Sequence, residues 1–173
     1  MIRQIIRYTA YFVFLIFIQI LVLNNINFAG KINPYLFVVF ILSLPFSLSK
    51  AWVLFLGFFM GLIIDIFVHT PGINAAALVF MGFSRNLILP FLAPRDGFET
   101  GSNPSASEYG WGWYLRYALI LVSIHHIFLF FLDAFSFANF GSILLDCMYS
   151  IIFTMLLIIL TQSNRSNKKS VSE

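Results

Sequence analysis

The chain has 173 residues, of which 60% are apolar and only 10% charged, and its net charge is +3. Soluble domains carry about 25% charged residues, and so few polar side chains cannot cover a surface facing water. A soluble enzyme, a nucleic-acid module and a disordered linker are therefore excluded, and the mean hydropathy of +0.92 makes lipid the solvent. The single cysteine, Cys147, rules out an internal disulfide and a thiolate cluster for zinc.

A transmembrane helix needs roughly 20 mostly apolar residues. Taken in chain order, the first such run covers residues 8–23. Arg3 and Arg7 precede it as in a signal peptide, but no small-residue cleavage site follows, so it reads as an uncleaved span. The second, residues 34–48, is short; Asn33 is placed to cap it, Pro34 suits a first helical position, and Pro45 predicts a kink. Residues 51–68 and 73–92 form the third and fourth. Residues 94–112, rich in Gly, Ser, Pro and acids, read as a flexible loop. Residues 113–137 and 142–161 form the fifth and sixth, and 162–173 reads as a disordered polar tail. The expected fold is all-α, one polytopic bundle of six transmembrane helices.

Basic residues test that count. Six spans put both termini on one side, together with Arg3, Arg7, Lys50, Arg95, Arg116, Arg165, Lys168 and Lys169, against Lys31 alone on the other. Such an excess marks the cytoplasm. Tyr109, Trp111, Trp113 and Tyr114 then fall where an interfacial aromatic belt belongs.

Charges within lipid are costly and usually functional. Asp65, Asp133 and Asp146 each lie six or seven residues from an outer hairpin tip, which predicts a shared tier roughly 10 Å inside the helix ends. They could be separate groups reaching outer-leaflet water, bonds between helices, or part of a proton or cation path. Arg85, His125 and His126 belong to a deeper layer. Arg85 either snorkels to cytoplasmic phosphates or pairs with an acid. Adjacent histidines point about 100° apart, so at least one is a polar filler bonded to a neighbouring helix. Ser84 lies at the depth of the histidines, but nothing around it resembles an oxyanion hole, and catalysis is not expected. No metal or cofactor motif occurs.

Gly57, Gly61 and Asp65 recur every fourth residue and so share one helix face. A GxxxG pattern lets two backbones approach closely in lipid, which makes this stripe the candidate seat for a partner helix. On that reading Gly61→Leu would impair assembly more than Phe59→Leu.

Gly57-x-x-x-Gly61-x-x-x-Asp65, followed by Thr70-Pro71-Gly72-Ile73-Asn74-Ala75 and then Arg85, resembles the rod shape-determining MreD family, in a form similar to those of Bacteroidetes. Asn33-Pro34-Tyr35-Leu36-Phe37 and Leu44-Pro45-Phe46 fit that form, so the likeness covers about residues 31–85. The resemblance implies a non-enzymatic inner-membrane subunit of the cell-elongation machinery. It implies binding to the single-span protein MreC, and action with RodA, its class B penicillin-binding transpeptidase and, indirectly, the MreB filament in side-wall peptidoglycan synthesis. The implied fold is similar to the six-helix S components of energy-coupling-factor transporters. That likeness also supplies the competing reading, a solute-binding (vitamin-type) transport subunit. Asp133, Asp146 and the histidines match no family motif.

Overall fold

The computed structural model describes residues 2–25, 34–99, 101–134 and 140–170, the last seven of these by backbone alone. Among the described residues every regular element is helical: α1 (Ile2–Leu21), α2 (Val38–Ser43), α3 (Lys50–Val68), α4 (Ile73–Leu92), α5 (Ala106–Tyr109), α6 (Trp111–Ala134) and α7 (Phe140–Ser170). Five of them are long and apolar enough to cross a membrane: α1, α3, α4, α6 and α7. Large apolar side chains cover their outer surfaces, among them Phe14, Phe17, Trp52, Phe55, Phe83, Leu87, Phe91 and Ile152, which in a bilayer meet acyl chains. The protein is a multi-pass helical membrane protein.

The second expected span is where the structure departs most from expectation. Only Val38–Ser43 are helical, and Pro34 stands four residues before the helix rather than at its first position. Asn33, expected to cap it, lies outside the described residues, as do Lys31 and residues 135–137 of the expected fifth span. The helix stops because the residue before a proline is pushed to extended geometry. Leu44 has φ −64° and ψ 139°, and Pro45 follows. What remains is a short helix with extended flanks, and every residue from Leu36 to Leu44 is buried. Irregular backbone survives at membrane depth only where protein surrounds it, and this segment is the centre of the core.

Side-chain contacts fix the directions of the elements. Gln19, near the end of α1, bonds to Pro34 and Leu36, while Tyr8, near its start, bonds to the Ser43 carbonyl, so residues 34–43 run antiparallel to α1. The close of α4 meets the opening of α6 where Trp113 Nε1 donates to the Leu92 carbonyl at 2.7 Å. Phe131 of α6 packs on Phe140 of α7, with centroids 5.9 Å apart, so those two also run antiparallel.

Two further expectations are revised. Residues 94–112, expected as a flexible loop, carry local packing: Phe98 stacks on Phe46 at 4.0 Å, Tyr109 and Trp113 pack edge-on around them, and Ser105 caps the single turn of α5. The polar stretch after residue 161 continues α7 as helix through Ser170, with residues 171–173 outside the described set.

Candidate functional site

Buried polar groups gather at three places, each a junction between chain segments. The first is the α3–α4 hairpin. α3 ends at His69, which takes a left-handed backbone with φ 59°, and α4 begins after Gly72, whose φ of 84° favours a residue without Cβ. This tight turn brings the start of α4 back over the last turn of α3. There Asp65, only 3% exposed, accepts bonds from the Asn74 backbone N–H at 3.0 Å, the Asn74 Nδ2 at 2.9 Å, the Ala75 N–H at 2.9 Å and the Thr70 hydroxyl. A helix N-terminus leaves N–H groups without partners. Asp65 supplies the missing acceptors from the preceding helix, and its charge suits the positive end of the α4 dipole.

The same stripe explains the glycines. A Cβ built on Gly61 would stand 2.4 Å from the Ala75 Cα and 2.5 Å from its nitrogen, so the two backbones touch there. At Gly57 the nearest atom is the Leu78 carbonyl oxygen at 3.3 Å. Gly57, Gly61 and Asp65 are therefore a close-approach face, as expected, but α4 of the same chain occupies it. The expected partner-helix seat is already filled, because the neighbouring helix in sequence offers Ala75 and Leu78 to it without any second molecule.

The second junction closes the short helix α2. A helix also ends with orphan carbonyls, and here three side chains from three helices reach them. Tyr117 donates to Leu42 at 3.3 Å and Arg85 Nη2 to Leu44 at 2.6 Å, and the Tyr8 hydroxyl lies 3.4 Å from the Ser43 carbonyl. Arg85 Nε also donates to the Tyr117 hydroxyl at 2.9 Å. Arg85 is 1% exposed, so it does not snorkel, and its bonds go to neutral acceptors rather than to an acid. A cation at the carbonyl end of a helix is favoured by the dipole, which replaces both expectations for this residue.

The third junction holds the entry to α2. Gln19 accepts the Leu36 N–H at 2.8 Å and donates to the Pro34 carbonyl at 3.0 Å, and Thr154 Oγ1 accepts the Tyr35 N–H at 3.0 Å. His126 Nδ1 lies 2.9 Å from the Val122 carbonyl, which only accepts, so that nitrogen carries the proton. In the neutral ring Nε2 then accepts from the Thr154 hydroxyl at 3.1 Å. His126 is the expected polar filler. His125 packs edge-on against Tyr35 and Phe37, and its Nε2 has no partner among the described residues.

The expected acid tier does not form. Asp65 is spent on its own hairpin, Asp133 is exposed on α6, and Asp146 is half-buried on α7. Among the described residues no three His, Cys, Asp or Glu side chains lie close enough to hold a metal ion. Ser84 is buried on α4, whereas both ring nitrogens of His126 are engaged elsewhere.

Searches against protein-family models, curated proteins and solved structures return no match.

Sequence reasoning passed over Tyr8, Gln19, Tyr117 and Thr154. On α1 and α7 a signal was present. Tyr8, Phe12, Leu15 and Gln19 recur at helical spacing on one face of α1, as do Cys147, Ser150, Thr154 and Ile158 on α7, and these are the faces turned inward.

Proposed function

We propose that the chain is a non-enzymatic inner-membrane subunit of MreD type. It binds MreC and supports side-wall peptidoglycan synthesis with RodA and its transpeptidase partner. On this reading residues 34–48 serve as the sixth crossing, and both termini lie in the cytoplasm beside the basic residues. One observation supports the proposal: the residues of the family-like pattern each hold a buried junction of the fold, at two places. Gly57, Gly61 and Asp65 lock α3 to Asn74 and Ala75, and Arg85 holds the broken end of α2 at Leu44-Pro45.

The buried course of Leu36–Leu44 supports assembly over solute binding. Those residues occupy interior space that a ligand pocket between helices would need. What the molecule offers to others is its lateral surface, and a partner helix packs there through van der Waals contact. The test is co-purification of the tagged chain with an MreC-like protein in mild detergent. A stable complex is expected, and its absence, or a vitamin-like molecule retained by the purified chain, overturns the proposal.

A further inference from the structure

Positive charge gathers unpaired at one end of the bundle. Arg3 and Arg7 lie one turn apart on α1, and Lys50 opens α3. Arg95 lies three residues beyond Leu92, and Arg116 three residues beyond Trp113, so the Trp113–Leu92 bond brings these two to the same end from different helices. All five side chains are exposed, and none is paired with a carboxylate among the described residues. Arg116 Nε donates to the Gly112 carbonyl at 3.0 Å, which orients the guanidinium and leaves its two terminal nitrogens free. Three acids share this end: Glu108 is engaged, its Oε2 accepting the Asn103 N–H at 2.7 Å, while Asp96 and Glu99 are exposed and leave the five bases in excess. Tyr8 ties the start of α1 to this end by donating to Asn103 Oδ1 at 2.9 Å. Two exposed indoles, Trp52 in the first turn of α3 and Trp111 at the start of α6, lie at this same end, where membrane interfaces favour them. The helical backbone of α7 carries positions 165, 168 and 169, all basic, beyond its apolar stretch.

We propose that this end of the bundle binds the phosphate headgroups of anionic phospholipids, with Arg95 and Arg116 as the principal pair and Trp111 seating the glycerol region. A guanidinium offers a planar fork of donors that matches a phosphate. A base near an anionic leaflet strengthens association by about five-fold. Biased insertion alone would also place bases at one end, but it leaves no lipid bound to the finished protein. The proposal does not depend on the elongation-complex reading.

The test is native mass spectrometry of the full chain, released from nanodiscs containing equal phosphatidylglycerol and phosphatidylcholine. Phosphatidylglycerol is expected to remain bound at least ten-fold more often than phosphatidylcholine. The double variant Arg95→Gln with Arg116→Gln should lose most of that preference, while Arg95→Lys with Arg116→Lys keeps a substantial part of it. Both pairs alter exposed side chains, so an unchanged melting temperature verifies the fold. Equal retention of the two lipids, full retention by the glutamine pair, or displacement of the lipid by inorganic phosphate would overturn the proposal.

Discussion

Replacing Gly61 by alanine tests whether α3 and α4 are held in backbone contact. The added methyl would sit 2.4 Å from the Ala75 Cα and 2.7 Å from the Asn74 carbonyl carbon. Those are main-chain atoms, and no rotamer change can move them aside. To restore a contact of 3.4 Å the helices must part by about 1 Å at this point. The same movement stretches the 2.9 Å bond from the Ala75 N–H to Asp65, one turn along. Overpacking costs about 1–3 kcal/mol, and loosening bonds to a buried carboxylate about 1.5–3 kcal/mol. Alanine returns about 1 kcal/mol of helix propensity. The net expectation is a loss of about 1.5–5 kcal/mol, or roughly 3–20 °C in melting temperature for a chain of this length. Gly57→Ala is the milder comparison, since its Cβ would meet the Leu78 oxygen at 3.3 Å, tight but relieved by a shift of a few tenths of an ångström, and should cost less than Gly61→Ala. Cys147 is buried and is the only thiol, so a thiol-reactive fluorophore reports melting in detergent without an added label. If Gly61→Ala melts no lower than Gly57→Ala, the backbone contact is not what holds the hairpin.

Asp65→Ala strands the donors of Thr70, Asn74 and Ala75 and should cost about 3–5 kcal/mol in the same assay, with Asp65→Asn intermediate because one amide face donates where an acceptor is needed. Arg85→Gln should release the end of α2, accelerating hydrogen exchange at residues 42–48. Tyr117→Phe, which removes one phenol, should do so less, by about 1–2 kcal/mol in opening free energy. His69→Gly should raise stability by up to about 1 kcal/mol, because the left-handed backbone at φ 59° burdens any side chain with a Cβ; a lower melting temperature would show that the imidazole itself makes a stabilising contact.

How much of this was legible in the sequence depended on whether a feature was local. α3, α4 and their turn fall almost where hydropathy and Thr70-Pro71-Gly72 put them, because length, apolarity and turn chemistry act within a few residues. The spacing of Gly57, Gly61 and Asp65 announced a close approach, yet GxxxG states proximity without naming the partner. Here the hairpin returned the nearest helix to that face. The short α2 was the hardest to read. Its apolar run looks like a weak span, and only the distant groups Gln19, Thr154, Tyr117 and Arg85 make six helical residues sufficient. The acids misled because depth along a helix says nothing about direction around it: Asp133 faces outward while Asp65 is turned into its own hairpin.

The most direct measurement concerns the path of the chain. Residues 34–48 contain a single helix of six residues, yet they run back along α1 from Gln19 to Tyr8 and deliver α3 to the end at which α1 began. Reporters with opposite compartment requirements, fused at the two termini, should therefore both answer from one face of the membrane. Termini found on opposite faces would mean that this segment does not cross. The proposed six-pass topology and the shared basic end would then fail.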